Sequence, residues 1–393
     1  MAAMLKRLSR GLRTVFVVAA LTVAAYATAA EWRGDHPDTY VVKRGDTLWD
    51  ISARFLKKPW LWPEIWQANP QIKNPHLIYP GDVISLAYLD RLAVQPGPRQ
   101  AAPINAIPLD QIEAFLKDLR VVDEFEQLPY VVSLEEDRLR GSQGQVVYVR
   151  GLAGAQPGQR YLIVRATQRY TQTRRTSNGQ YLPFKEDLDF RGKRLLTQTA
   201  DLDTGWTNMV LSEGPLELLG YELARVNLGT VTRGEVANVE ASTVLLDEAG
   251  REVRIGDRLI PVDATGYDLQ FFPHAPKTQL PVGKAQVLAV ADTDRYGGPR
   301  DVIAISAGAR DGIDNGTVFS IWRNGSNVID KVEYGEDRSY QSVPKKSRVQ
   351  LPDEFAGHVM VFRTFDKMSY GLVMEGIKPT KVGYTLKHPD ATY

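Results

Sequence analysis

Few side chains in this sequence of 393 residues could carry out catalysis. It has no cysteine, which excludes thiol catalysis, disulfides and cysteine–zinc sites. The histidines do not form the spacings of zinc peptidases, and neither a Gly-x-Ser-x-Gly elbow nor a Ser-x-x-Lys motif occurs. A pair of glycosidase carboxylates stays open, because their separation in space is invisible in a sequence. We therefore expect a protein without catalytic activity, cofactor or bound metal. The histidines are His36, His76, His274, His358 and His388.

The first thirty residues have the pattern of a cleaved secretory signal. A basic front precedes an apolar run from Val15 to Ala25, and small residues follow up to Ala29 and Ala30. The run is too short to span a bilayer, which takes about twenty residues. We therefore expect export to the periplasm, cleavage after Ala29 or Ala30, and no membrane insertion once residues 1–30 are removed.

The composition describes an ordinary folded protein, with 43% apolar and 24% charged residues. The predicted signal holds four of the 48 basic residues and no acidic one, so 44 basic residues remain against 47 acidic ones. This slightly acidic balance argues against a nucleic-acid-binding protein, which normally carries a basic excess.

Residues 38–87 are predicted to form a small module with the order strand, helix, helix, strand. The first helix should start near Thr47, and Pro63 suits the first position of the second. The turn at Pro80-Gly81-Asp82 leads into a closing strand. Three blocks of this module, Tyr40–Ile51, Trp62–Pro70 and Asn74–Asp82, resemble in order and spacing the LysM domains.

The resemblance implies binding of polymers that contain N-acetylglucosamine, here the glycan strands of peptidoglycan. In LysM domains a shallow groove lies between the loop after the first strand and the loop before the second. An acetamido group offers one donor, one acceptor and a methyl, which two backbone groups beside an apolar patch can recognise. Each hydrogen bond contributes only about 1 kcal/mol in water, so we expect one module to bind weakly. The corresponding residues here are Gly45, Asp46, Thr47, Leu48, Asn74, Pro75, Leu77, Ile78, Tyr79 and Pro80.

Structural roles are the alternative for several of these residues. Asp46 would then cap the first helix, while Leu48 and Ile78 would belong to the hydrophobic core.

Residues 90–108 are rich in proline and predict an extended linker. The next segment, 109–129, starts with an amphipathic helix from Asp110 to Leu119. Its apolar stripe fits docking on the domain that follows better than binding of a separate partner.

The rest of the chain has the pattern of short strands separated by turns. A glycine followed by a short apolar strand recurs at Gly158, Gly256, Gly316 and Gly383. Offsets of 158 and 127 residues relate these copies and predict two related β modules, at 130–262 and 283–388. The fold class is thus a small α+β LysM domain followed by a mostly β region of two modules.

The first module is predicted to hold a basic and aromatic insertion at 167–200. An Asn-Gly pair at 178–179 suits the tight turn of a protruding hairpin. Arginine and tyrosine are frequent at protein interfaces, so the insertion is either a partner-contacting arm or a solvated loop. The candidate contacts are Arg169, Tyr170, Arg174 and Arg175.

The whole order, from signal to β modules, resembles the secretin-associated proteins of type IV pili. The resemblance implies a periplasmic protein that tethers an outer-membrane secretin to peptidoglycan. Two alternatives remain open at this stage: an accessory protein or enzyme of cell-wall remodelling, and a general scaffold for another envelope complex.

Overall fold

The computed structural model describes residues 31–73, 75, 78–86, 109–175, 181–188, 217–236, 239–262, 272–291, 296–334 and 348–392. The chain divides into two compact units, residues 1–107 and 108–393. The predicted signal, all of the predicted linker and the tip of the predicted hairpin lie outside the described residues.

The first unit holds a small domain with the predicted order of strand, helix, helix and strand. Its first helix begins where predicted, because Thr47 and Asp50 form a reciprocal capping box. A 3-10 turn precedes the second helix, which carries proline in its first turn. Trp49 and Trp62 are 1% and 2% exposed and fill the core between these elements. The elements are β1 (Thr39–Val41), α1 (Leu48–Phe55), the 3-10 helix Pro59–Leu61, α2 (Trp62–Gln67) and β2 (Val83–Ser85).

The second unit opens with the predicted amphipathic helix, α3 (Leu109–Lys117). It ends two residues earlier than expected, because Leu119 already begins strand β3 (Leu119–Val122). Two β-barrels follow, each of six strands.

The first barrel closes on itself in the strand order β4-β5-β9-β8-β6-β10, with β10 again pairing β4. Closure leaves no free edge among these strands. Side chains such as Val147, Ile163 and Val244 fill its interior. The strands of this region are β4 (Tyr130–Leu134), β5 (Val146–Arg150), β6 (Arg160–Arg175), β7 (Tyr181–Asp187), β8 (Leu218–Arg233), β9 (Ser242–Leu246) and β10 (Arg258–Pro261), with a 3-10 turn at Glu135–Asp137.

The second barrel has the strand order β11-β13-β18-β17-β14-β20. Backbone hydrogen bonds between β11 and β20 close it, from Val287 N–H to Tyr384 O and from Leu386 N–H to Ala285 O. Its elements are β11 (Val287–Val290), β12 (Tyr296–Gly297), β13 (Val302–Ile305), the 3-10 helix Ala309–Asp311, β14 (Val318–Arg323), β15 (Asn327–Ile329), α4 (Lys331–Tyr334), β16 (Arg348–Gln350), β17 (Glu354–Thr364), β18 (Ser369–Gly376), β19 (Thr380–Lys381) and β20 (Thr385–Lys387).

The two barrels share one topology. Strands β4, β5, β6, β8, β9 and β10 of the first correspond in chain order and in cyclic order to β11, β13, β14, β17, β18 and β20 of the second. The recurring glycines precede matched strands: Gly158 and Gly316 stand before β6 and β14, and Gly256 and Gly383 before β10 and β20. In both barrels the connection between the third and fourth strands is enlarged, by β7 in the first and by β15, α4 and β16 in the second.

One type of turn leads into three strands of each barrel. Its third residue has a left-handed backbone, with φ between 76° and 96°. That residue donates its N–H to the carbonyl of a neighbouring strand residue, and the fourth residue accepts the N–H of the same neighbour in return. In five of these six turns within the described residues, the fourth side chain also accepts the N–H of the first residue. The turns are 142–145, 156–159, 254–257, 298–301, 314–317 and 381–384.

A buried ion pair fixes the turn before β10. Asp257 is fully buried, and its two carboxylate oxygens accept from Nε and Nη2 of Arg165 at 2.7 and 2.8 Å. Burial raises the pKa of Asp257, and the hydrogen bonds and charge of Arg165 oppose that rise. Arg165 therefore compensates for the cost of an ionised carboxylate inside the fold.

No helix in the described part of the chain is long and apolar enough to cross a membrane.

The turn geometry predicts a stabilising substitution at Arg300, a non-glycine residue at φ 76° in the turn before β13. A residue with a side chain loses about 1–2 kcal/mol of folding free energy in this conformation. Glycine avoids this strain, although its more flexible unfolded chain cancels part of the gain. We expect Arg300→Gly to raise the thermal unfolding midpoint of the second unit by a few degrees. Gly158→Ala is the matched reverse change, because a Cβ at Gly158 meets no atom of the described part of the chain within 4 Å and adds backbone strain alone. Gly158→Ala should lower the midpoint, so a fall for Arg300→Gly or a rise for Gly158→Ala would contradict the assignment.

The Arg165–Asp257 pair predicts a pH-dependent defect. Arg165→Met leaves a buried carboxylate without its partner and should lower the free energy of unfolding at pH 7 by about 3 kcal/mol. The same change should raise the pKa of Asp257 further above its unfolded value. A raised pKa in the folded state gives stability that is present at low pH and lost as the pH rises through that pKa. Denaturant unfolding should therefore show the variant approaching the wild type as the pH is lowered from 7, whereas the double variant with Asp257→Asn should show no such trend.

Candidate glycan-binding site

The pairing of β1 with β2 brings the two predicted binding loops together. Val41 lies opposite Val83, so the loop that leaves β1 and the loop that enters β2 emerge at one end of this small sheet. Two further backbone hydrogen bonds of 2.8 Å join the loops, from Val42 N–H to Asp82 O and from Gly81 N–H to Val42 O. The two halves of the predicted groove are therefore neighbours.

Each loop is built on the same closed turn that precedes the barrel strands. In residues 43–46, Asp46 N–H donates to Lys43 O at 3.1 Å and Lys43 N–H donates to the Asp46 carboxylate at 2.8 Å. In residues 79–82, the equivalent hydrogen bonds of Asp82 and Tyr79 are both 3.0 Å.

Glycine occupies the left-handed position of both turns, at Gly45 (φ 90°) and Gly81 (φ 93°). A Cβ at Gly45 would meet no atom of the described residues within 4 Å, so the backbone there faces open space among them. The backbone at Gly45 is therefore open to close approach, and contact with a ligand there stays a prediction.

Asp46 is a structural residue of this loop. It is 5% exposed, and its carboxylate accepts hydrogen bonds from the Tyr40 hydroxyl at 2.8 Å and from Arg54 at 2.9 Å in addition to that from Lys43. Burial and the hydrogen bond to Asp46 raise the pKa of Tyr40. Asp46 therefore shapes the loop, and its oxygens have no need of a ligand. It does not cap α1, because that role belongs to Thr47.

Thr47 is also engaged within the domain. Its hydroxyl accepts the Asp50 N–H at 3.0 Å and donates to the Asp50 carboxylate at 2.8 Å. The backbone N–H groups of a first helical turn lack intrahelical acceptors, so the start of α1 can still offer donors to an acetamido oxygen.

The apolar candidates divide between the core and the surface. Leu48 and Ile78 are 0% exposed, which places their side chains in the hydrophobic core, and Pro75 is buried as well. Tyr79 and Pro80 are half-buried and keep part of their surface for a ligand. Asn74 and Leu77 lie outside the described residues.

Comparison with known proteins agrees with this geometry. The family model described as "LysM domain" matches residues 40–87. Residues 40–87 are a LysM domain. An uncharacterized protein of Bacillus subtilis (strain 168), YqbP, is 37% identical over an alignment of 60 residues that covers 13% of this chain. The match covers 27% of the length of that protein. No solved structure matches the chain.

A LysM domain implies binding of peptidoglycan or a related carbohydrate, and it is a binding module without catalytic groups. Among the predicted groove residues, the backbone at Gly45, the start of α1 and the exposed parts of Tyr79 and Pro80 are the surfaces that the fold leaves accessible. Backbone donors beside a small apolar surface suit an N-acetyl group better than a strongly charged ligand.

Three residues that position the LysM loops were missed as such by the sequence analysis. Tyr40 and Arg54 hold Asp46, as described above. Asn69 is 0% exposed; its amide nitrogen donates to Ile65 O and Ser85 O, and its amide oxygen accepts from Ser85 N–H at 2.7 Å. It joins the end of α2 to β2 across the loop that carries the second half of the groove. The helix-ending Asn-Pro pair was the available signal, but its long-range partner is visible only in the fold.

The candidate partner residues of the first barrel lie elsewhere. Tyr170 is 3% exposed, and its hydroxyl lies 3.0 Å from the buried Glu222 carboxylate, so it is a packing residue and does not form an exposed contact. Arg169 is half-buried. Arg174 and Arg175 belong to the predicted hairpin, where β6 pairs with β7, but their side chains are not among those described.

The site predicts that glycan binding can be blocked at Gly45 without loss of the fold. Asparagine tolerates the left-handed conformation, so Gly45→Asn should keep the turn while its side chain fills the open space that a sugar needs. We expect sedimentation with purified sacculi to fall at least fivefold, with the far-ultraviolet circular dichroism unchanged. Gly144→Asn is the matched control, since Gly144 holds the same position in a barrel turn and also faces open space. Full retention of Gly45→Asn by sacculi would refute this placement of the groove.

Proposed function

We propose that this chain is a non-catalytic periplasmic protein that tethers an outer-membrane secretin of type IV pili to peptidoglycan. The observation that carries the proposal is a LysM domain joined through a proline-rich segment to a separate unit of two related barrels. The LysM domain supplies weak attachment to the wall, and the proline-rich segment gives it reach. The double-barrel unit is then the part available to a protein partner.

Export across the inner membrane is part of the proposal and rests on the signal-like pattern of residues 1–30. The choice of a secretin as the partner rests on the resemblance of the domain order to that of the secretin-associated proteins. A pilus that retracts pulls on its outer-membrane gate, and a protein that binds both gate and wall would hold the gate in place.

The contacts of the buried polar groups in the second unit support a non-catalytic role. Asp257 is paired with Arg165. Glu222 accepts hydrogen bonds from Thr167 and Tyr370, and His358 lies 2.7 Å from Glu375. These groups hold strands together, whereas catalytic groups normally face a cleft that admits substrate.

Deletion of residues 38–87 tests the two halves of this assignment together. The truncated protein should no longer sediment with sacculi but should still co-purify with the secretin from envelope extracts. The full-length chain and Gly144→Asn serve as controls.

Each alternative function has its own result in the same experiment. If the truncated protein still sediments, the LysM domain is not the wall anchor. Capture of a different envelope complex without secretin would favour a general scaffold, and release of muropeptides by the purified protein would favour an enzyme of wall remodelling.

A further inference from the structure

Helix α3, the first element of the second unit, packs on the second barrel. Ile112 is 0% exposed and Leu116 is 6% exposed. The Phe115 ring meets Phe362 and Tyr370 edge-to-face, at centroid distances of 6.5 and 5.9 Å. This helix therefore buries its apolar stripe against β17 and β18.

Arg363 of β17 holds the carboxyl end of the same helix. Its Nη1 donates to the carbonyl oxygens of Phe115, Leu116 and Leu119 at 2.5, 2.7 and 2.6 Å. The last carbonyls of a helix have no intrahelical partner, and they carry the negative end of the helix dipole. A guanidinium at this position thus donates to three carbonyl oxygens and places its positive charge at the negative end of the helix dipole.

The residues directly after α3 join the first barrel. Strand β3 pairs antiparallel with β8 over four residue pairs, from Leu119 opposite Ala224 to Val122 opposite Tyr221. Asp123 then returns to the second barrel through an ion pair of 2.9 Å with Lys367. Within fifteen residues the chain is bonded to both barrels in turn.

The same segment covers a buried junction between the barrels. Tyr370, which α3 covers, donates its hydroxyl to Glu222 of the first barrel at 2.7 Å. Tyr370 is 2% exposed and Glu222 is 8% exposed. Burial and the nearby Glu222 charge raise the pKa of Tyr370 well above its usual value, so the phenol stays a donor at neutral pH.

We propose that residues 109–123 are a strap that fastens the two barrels together, with Arg363 as its lock. The proline-rich segment that comes from the LysM domain ends where the strap begins. Tension on that segment reaches the strap first and is shared between both barrels, which keeps the pair from separating. The strap as a structure is independent of glycan binding, while its mechanical use rests on the proposed tethering function.

Hydrogen–deuterium exchange of the full-length protein tests the strap. In the wild type, amides of residues 113–122 should be protected to a degree comparable with those of β17. Arg363→Ala should speed their exchange at least tenfold and leave the LysM domain unchanged. The matched control is Arg323→Ala, which removes an arginine of the same barrel that forms an ion pair of 3.3 Å with the exposed carboxylate of Glu354. Arg363→Lys keeps the charge but not the planar guanidinium, and should give an intermediate rate.

Two results of this exchange experiment would overturn the strap. One is exchange of residues 113–122 at free-peptide rates in the wild type, which needs no variant to fold. The other is equal protection in the wild type and in a folded Arg363→Ala protein.

Pulling the molecule tests its mechanical use. Because the chain has no cysteine, handles at Ala106→Cys and Thr392→Cys can be attached specifically. In Arg363→Ala a new low-force event should release about fifteen residues, roughly 50 Å of chain, before the barrels unfold. An unchanged first event would refute this use of the strap.

Sedimentation with sacculi, measured on the same variant, tests the proposed function separately. Arg363→Ala should sediment as the wild type does, so a failed tether and a failed strap give different results.

Discussion

A four-residue turn with a left-handed third position is the constraint on which this protein depends. It leads into the closing strand of the LysM domain and into three strands of each barrel, and it also shapes the loop before α1. In each strand-leading copy the turn exchanges two backbone hydrogen bonds with a single residue of a neighbouring strand. It therefore sets the register of that strand pair as well as the direction of the chain.

Because this turn recurs at matched positions in both barrels, the two barrels share one topology although they differ in size. The enlarged connection of each barrel lies between the third and fourth strands, where it interrupts no closing turn. In the first barrel, β6 and β8 continue as a long ribbon that carries Tyr170 and Glu222 to the second barrel. The insertion, predicted to be either a partner-contacting arm or a solvated loop, thus begins as part of the contact between the barrels.

In the LysM domain the residues that shape the groove differ from the surface that is left for a ligand. Asp46, Thr47, Leu48 and Ile78 are engaged or buried, so they hold the groove in shape. What remains for a ligand is mainly backbone and a little apolar surface, which fits a weak, repeated interaction with a uniform polymer.

The sequence by itself determined the LysM domain, the start of its first helix, the mostly β character of the second unit and the recurring glycines before matched strands. These depend on local signals, namely a capping residue, alternating apolar side chains and glycines that adopt positive φ. The sequence also suggested the hairpin between β6 and β7.

Only the tertiary structure decided which candidates face a ligand, because burial depends on what packs against a residue from a distant part of the chain. It showed that Leu48, Ile78 and Tyr170 are buried. It also showed that the Asp46 carboxylate accepts hydrogen bonds from Arg54 and Tyr40. It alone showed that both sheets close into barrels and that Arg363 reaches α3 across 248 residues, since pairings over such distances leave no local pattern.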